Sequence, residues 1–383
     1  MDWDEKGKEM KLLHTADLHI GKTMYEFPLY EDQAYILNQI LEIARKEQVD
    51  VLLLAGDIYD RSIPSTEAVT VFDEFLTACV KEGIVTMVIS GNHDSPERLS
   101  FGGRLFEENR LYIAGTWEGQ VKQVTLEDEY GEVDFFLLPF VRPGQLQART
   151  EGEGVEKIMK EAVSLDKGKR NVLMTHYFVG GKNCEPELSE SENTVYVGGI
   201  DMVSPALFEE FDYVALGHLH KAQKVGKNHV YYAGSPLAYS FSENSSKTVQ
   251  LVELLKPGEV VVKKVPLKPL RQVRTVEGDL WELTKEQIAA LENREDYIRA
   301  VLTNEEALME PMAVLRSVYP NAMEIILKEK ELANVNQRRQ QITRKKKSGI
   351  ELFRDFYTYV EEKDMSEKQL AAAEEMMDKA LMK

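Results

Sequence analysis

Cysteine is nearly absent: the 383 residues contain two, Cys79 within an apolar helical pattern and Cys184 in a polar stretch. Such a pair makes neither a disulfide framework nor a zinc-finger spacing, so both are read as ordinary reduced thiols. No run of 18 or more apolar residues occurs, which argues against a membrane-spanning helix. The first ten residues, M-D-W-D-E-K-G-K-E-M, lack the basic-then-apolar order of a signal peptide. A cytoplasmic protein is therefore expected. A basic excess is missing too, because 47 Lys and Arg stand against 65 Asp and Glu for a net charge of -18. A surface that grips nucleic acid all over is excluded, and any such contact must come from a local patch, a metal or a partner. There is no internal repeat and no low-complexity segment. What remains is 43% apolar and 29% charged residues, the composition of a globular protein long enough for two or three domains.

The most informative stretch is 51–60, V-L-L-L-A-G-D-I-Y-D. A run of branched apolar residues that stops at Gly-Asp reads as a buried parallel strand delivering Asp57 to the rim of a sheet, where open α/β proteins place their chemistry. The same arrangement recurs. A strand over 10–15 ends at Asp17 and His19, one over 84–90 at Asn92, His93 and Asp94, one over 171–175 at His176, and one over 213–216 at His218 and His220. Helical apolar spacing over 31–48 and 68–79, the second capped by Ser65 or Thr66, alternates with these strands and predicts parallel pairing. Strands over 121–126 and 133–140 predict a second sheet, and residues 154–163 a helix. Hairpin-like strands over 230–233, 249–254 and 260–265 close the segment, and Pro266 and Pro269 mark a boundary. Beyond it, strand (272–275), helix (283–291), strand (297–302), helix (308–318) and strand (322–327) predict a small α+β module. A basic stretch follows, and then an aromatic stripe of Phe353, Phe356, Tyr357 and Val360 and a capping box over 366–369.

Five of the seven histidines fall in these strand-end loops. Carboxylate, imidazole and amide oxygens together suit Mn²⁺, Fe or Zn²⁺. One ion cannot use seven ligands, whereas two ions about 3.5–4 Å apart can, bridged by one carboxylate. Asp57, on the most apolar strand, is the natural bridge. His14 and His229 are read as structural, and Arg61, Arg98 and Arg104 as solvated loop residues.

The order D-x-H (17–19), G-D (56–57), G-N-H-D (91–94), His176 and G-H-x-H (217–220) resembles the calcineurin-type metallophosphoesterase superfamily. Within it, D-L-H-I-G, G-D-I-Y-D-R-S-I-P-S, S-G-N-H-D-S-P-E-R-L and D-Y-V-A-L-G-H-L-H-K-A-Q with A-G-S-P-L are similar to the SbcD family, the bacterial counterpart of the nuclease subunit of the double-strand-break repair complex. The resemblance implies an α/β, four-layer sandwich of two mixed sheets flanked by helices, with a small α+β capping domain and a helical tail. The domains implied are nuclease (1–268), DNA-capping (269–333), basic linker (334–349) and a tail docking on the ATPase SbcC (350–383). It implies that Asp17, His19, Asp57 and His220 hold one ion and Asp57, Asn92, His176 and His218 the other, two Mn²⁺ with Fe or Mg²⁺ as alternatives. His93 then acts at the scissile phosphate, with Asp94 orienting it. The activity implied is exonuclease and endonuclease cleavage of DNA ends and hairpins in repair, recombination and replication. An SbcD homodimer joined to SbcC is implied as the assembly. The chain lacks G-x-x-x-x-G-K-[ST], so ATP use belongs to that partner. A phosphatase or phosphodiesterase of small molecules on the same metal core is the alternative.

Overall fold

A computed structural model of the chain describes residues 9–181, 184, 186–188, 202–226, 229–243, 245–285, 293–328 and scattered residues between 353 and 376. In chain order the strands are β1 (Met10–Thr15), β2 (Thr23–Met24), β3 (Phe27–Pro28), β4 (Val51–Ala55), β5 (Val85–Ile89), β6 (Leu111–Ala114), β7 (Lys122–Asp128), β8 (Gly131–Leu137), β9 (Arg170–His176), β10 (Tyr213–Gly217), β11 (Gln223–Lys224), β12 (Val230–Tyr232), β13 (Thr248–Leu254), β14 (Val260–Pro266), β15 (Val273–Gly278), β16 (Tyr297–Leu302) and β17 (Ala322–Leu327). The two long helices are α1 (Tyr30–Glu47) and α2 (Thr66–Lys81).

Two six-stranded sheets, in orders β14-β13-β1-β4-β5-β6 and β11-β12-β10-β9-β8-β7, carry the fold. Each is mixed: β1, β4, β5 and β6 run parallel beside the antiparallel β13 and β14, and β8, β9, β10 and β12 run parallel between the antiparallel β7 and β11. The central strand β4 shows why the layers form. All five of its residues are buried; Leu52 and Leu54 pack with the apolar faces of α1 and α2, while Val51, Leu53 and Ala55 pack toward the second sheet. Period-2 alternation with both faces apolar demands cover on both sides, which a sandwich with outer helices supplies. At one end the buried Arg170 joins the sheets, binding the Asp128 carboxylate and the carbonyls of Leu254 and Leu255.

Several boundaries differ from the sequence reading for local reasons. The strand expected to reach Phe140 ends at Leu137, because Pro139 has no N–H to give. The helix expected from Gly154 starts at Glu151, since Thr150 caps it by accepting from Glu153 N at 3.1 Å. Ser65 caps α2 through Ala68 N. Residues 230–233, expected in the closing hairpin, go elsewhere: Val230–Tyr232 pairs in parallel with β10 in the other sheet. The hairpin consists of β13 and β14 alone. The short strands β2, β3, β6 and β11 carry too few residues for a periodic signal.

After Pro266 a parallel three-stranded sheet, β15-β16-β17, has its own core of Val276, Leu280, Ile298, Ala300, Leu302, Leu315, Tyr319 and Ala322. Most of the helix expected over 283–291 lies outside the described residues; a helical turn, Leu280–Leu283, precedes it, and the helix expected over 308–318 spans Pro311–Arg316, opened by its proline. The module rests on α1, where Asp32 Oδ2 accepts from Arg271 Nη1 and Tyr297 Oη, both at 2.7 Å. A cavity of about 560 Å³ lies beside this contact. The basic stretch 334–349 and Phe356 and Val360 of the aromatic stripe lie outside the described residues. The capping box is formed, with Ser366 N donating to Gln369 Oε1 at 2.9 Å and Gln369 N to Ser366 Oγ at 3.4 Å.

His14 is structural, as its place in β1 implies. It is fully buried and its Nδ1 lies 2.9 Å from Tyr213 Oη across the interlayer. Burial, opposed by a hydrogen bond with the Leu216 backbone, lowers its pKa from 6.5 to about 3. A folded-state pKa below the unfolded one means that the unfolded chain takes up the proton first, so stability drains as pH falls from about 6.5 toward 3. Urea unfolding of wild type and His14→Gln between pH 7 and 4 should differ in slope by about 1.4 kcal/mol per pH unit. Equal slopes would refute this account of His14.

Candidate metal centre

The carboxyl ends of β1, β4, β5, β9 and β10, three from one sheet and two from the other, meet at one rim. The loops after β1 and β4 run side by side: Asp17 N donates to Gly56 O at 3.0 Å, His19 N to Asp57 O at 2.9 Å and Ile20 N to Ile58 O at 2.8 Å. Gln33 of α1 clamps the first loop, donating Nε2 to His19 O at 2.7 Å and accepting from Gly21 N at 2.9 Å. Four non-glycine residues here sit at positive φ: Asp17 (54°), His19 (43°), Asp57 (49°) and His218 (105°). Each such conformation costs on the order of 1–3 kcal/mol and persists only where surroundings impose it.

The side chains then face one another with lone pairs. Ala55 O can only accept, so His176 donates to it through Nδ1 at 2.8 Å and its Nε2 is left as an acceptor. That Nε2 lies 3.3 Å from Asp57 Oδ2, 3.2 Å from Asn92 Oδ1 and 4.0 Å from Asp17 Oδ1. His218 Nδ1 approaches the same Asn92 oxygen at 3.0 Å. With Nδ1 of His220 directed at Glu243 Oε1 (3.1 Å), its Nε2 meets His19 Nε2 at 3.2 Å. Acceptors opposed at such distances repel unless a proton or a metal ion lies between them. Ligand atoms of Asp17, His19 and His220, of His19, Asp57 and His93, and of Asp17, Asp57 and His176 lie within 4.8 Å of one another in each group. A donor set of carboxylate, imidazole and amide oxygen fits Mn²⁺, Fe or Zn²⁺.

Electrostatics follow the same geometry. Burial, only partly offset by His176 and His220, raises Asp17 to about 7. Asp57 is equally buried, but the imidazoles of His176, His19 and His93 outweigh that and hold it well below the usual carboxylate range. Burial disfavours charge on His176, yet Asp57 and Asp17 raise it to about 9, a proton answering the demand for a cation. His218, buried and beside His176, falls to about 3, and burial keeps His19 neutral. Neutral imidazoles are the form that binds metals.

Every residue singled out from the strand ends lies at this rim, with one reassignment. The resemblance implies that Asp94 orients His93, but its carboxylate accepts from Ile58 N (3.1 Å), Tyr59 N (2.9 Å) and Gly91 N (2.8 Å). Burial, and then the charge of Asp57, raises it to about 6 against those donors. The group that meets the His93 ring is the carbonyl of Asp60, 3.1 Å from Nδ1. His93 is the exposed member of the cluster, and its N–H donates to Asp57 Oδ1 at 2.9 Å. Asp60 itself pairs with Lys22 at 2.7 Å. Three contributors escape sequence reading: Gln33, Glu243 and Tyr239, whose ring edges onto His19 and His220 and whose hydroxyl binds Leu18 O. Burial raises Glu243, but His220 and Lys247 bring it down to about 2. Only the four-residue spacing of Glu243 and Lys247 after A-G-S-P-L hints at them.

A family model described as calcineurin-like phosphoesterase matches residues 10–222, and one described as the type 5 capsule protein repressor C-terminal domain matches residues 266–361. A relative from Staphylococcus epidermidis, named as the SbcD component of the nuclease SbcCD, is 37% identical over 325 residues, 82% of this chain and 84% of its own. A relative of the same name from Staphylococcus saprophyticus is 35% identical over 326 residues, again 82% of this chain and 84% of its own. Among solved structures, a dimetal phosphatase from Danio rerio aligns at 13% identity with 69% of this chain and 99% of that one, at a TM-score of 0.39.

Packing at the rim excludes even a methyl group at some positions. A Cβ on Gly217 would stand 2.0 Å from Ala55 O, the acceptor of His176, and 2.6 Å from His176 Nδ1; one on Gly56, at φ 89°, would stand 2.3 Å from that same nitrogen. At Gly144 a Cβ would meet nothing within 4 Å. In urea unfolding Gly217→Ala should cost roughly 1–3 kcal/mol or more, whereas Gly144→Ala should stay within about 0.5 kcal/mol. Equal tolerance at both positions would show that the strand ends are not held this closely.

Proposed function

This chain belongs to the calcineurin-like phosphoesterases and, within them, to the SbcD nucleases, and on that premise we propose that it hydrolyses phosphodiester bonds at DNA ends and hairpins with two Mn²⁺ ions. The observation that carries the reading is the array of opposed acceptors around Asp57, which calls for divalent cations where five strand ends meet. We assign Asp17, His19, Asp57 and His220 to one ion and Asp57, Asn92, His176 and His218 to the other. Divalent cations held there supply Lewis acidity toward a phosphoryl group and toward water. The protein's own part is to fix His176 by Nδ1–H donation to the Ala55 carbonyl, which turns its Nε2 toward Asp57 and Asn92, and to present His93 at the open face. With Nδ1–H on the Asp60 carbonyl, the imidazolium form of His93 delivers its Nε2 proton to the departing sugar oxygen and is left as the neutral Nδ1–H tautomer. Asp94 acts by holding the loop after Asp57 rather than by touching His93.

Similarity that continues through residues 266–361, beyond the phosphoesterase core, favours the nuclease over a phosphatase of small molecules. In this reading the nuclease domain is 1–268, the module at 269–333 caps bound DNA, 334–349 is a linker, and 350–383 docks on the ATPase SbcC in the cytoplasm, at the nucleoid. No helix among the described residues is long and apolar enough to cross a membrane. Phe101 (83% exposed) and Leu105 (73% exposed) support packing of a second copy of the chain at that surface.

Labelled hairpin DNA incubated with Mn²⁺, with and without SbcC and ATP, tests the activity. Asp57→Ala should abolish cleavage together with Mn²⁺ binding, and His93→Ala should keep both ions while losing about 10²–10⁴ in rate. Wild-type cleavage by both variants would sink the assignment, and turnover of a mononucleotide ester with DNA untouched would favour the phosphatase. For the pairing of copies, Phe101→Glu with Leu105→Glu should sediment as a monomer; an unchanged dimer would move the interface elsewhere.

A further inference from the structure

Nothing in the proposed reaction requires Glu243 or Lys247, yet both are buried, at 8% and 9% exposure, a few ångströms from a proposed metal ligand. Their contacts divide cleanly. Glu243 Oε1 lies 3.1 Å from His220 Nδ1, while Oε2 receives Lys247 Nζ at 2.5 Å and Ser235 Oγ at 3.3 Å. Lys247 Nζ also donates to Ser235 Oγ at 2.8 Å and to the carbonyl of His220 itself at 3.2 Å, an acceptor that Ser235 N shares at 3.2 Å. Both the ring and the backbone of His220 are therefore gripped by one cluster, and the ring is turned so that Nε2 faces Asp17 and His19.

A buried ion pair is a poor way to gain stability, since an apolar pair of similar volume does as well or better. It is a good way to fix a tautomer. We propose that Glu243, held in place by Lys247 and Ser235, is a positioning residue for His220: it takes the Nδ1–H and so commits Nε2 to one of the two metal ions. The inference rests on the assignment of His220 as a ligand. A carboxylate behind a ligating imidazole raises its basicity and fixes its ring, and loss of such a partner typically costs about 10–100-fold in metal affinity.

Removing Glu243 alone would strand the Lys247 charge, so the informative variant replaces the pair, Glu243→Leu with Lys247→Met. The metal-free protein is titrated with Mn²⁺, followed by the paramagnetic resonance of free ion and by calorimetry, with thermal unfolding recorded beside it. One site should keep wild-type affinity and the other weaken about 10–100-fold, with cooperative unfolding retained. His220→Ala should weaken the same site, and adding the pair replacement to it should bring no further loss, because both act through one ring. Wild-type affinity at both sites in the pair variant overturns the proposal, even if its melting temperature drops. A loss that adds to that of His220→Ala overturns it as well. If His220→Ala itself binds both ions normally, the ligand assignment falls and the role of Glu243 falls with it.

Discussion

Two carboxylates, Asp17 and Asp57, are buried together just beyond the ends of the neighbouring parallel strands β1 and β4, and the rest of the rim exists to make that tolerable. A single buried charge costs several kcal/mol unless compensated, and a second like charge nearby adds to it. Compensation comes first from the backbone, with His218 N donating to Asp17 and His93 N to Asp57. It comes next from imidazoles contributed by the opposite sheet, His176 and His218. A single sheet could place the carboxylates but not surround them. Packing two sheets face to face with their parallel strands ending at one rim brings both halves of the charge balance to the same place.

That arrangement also explains why the loops are strained. A ligand just past a strand end has to turn back over the sheet edge, and Asp17, His19, Asp57 and His218 do so at positive φ. Three features over-determine the turns: the ladder between the first two loops, the Gln33 clamp and the three N–H groups gathered by Asp94. Asp94 therefore contributes to chemistry through the backbone it holds. His93 is left as the exposed member, steered by a carbonyl rather than a carboxylate.

What can be read from residues alone is the part encoded locally. The all-apolar Val51–Ala55 run marks a strand buried on both faces, and the placement of Asp, Asn and His just past five such strands marks the candidate ligands. Roles that depend on distant partners stay out of reach. Tyr239 meets Leu18 across more than two hundred residues, and the sheet that Val230–Tyr232 joins depends on which strand lies beside it rather than on its own pattern. Asp94 is instructive because the resemblance implies that it orients His93, whereas its carboxylate meets three backbone N–H groups. The turn between them sends one carboxylate inward and one ring outward.

Asp32 and Gln33 are consecutive on the first turns of α1. One anchors the three-stranded module through Arg271 and Tyr297, and the other clamps the loop that carries His19. Their side chains leave the helix about 100° apart, so one turn of α1 faces two ways at once. The seat of the three-stranded module and the shape of the loop that carries His19 are thereby written into the same two neighbouring residues.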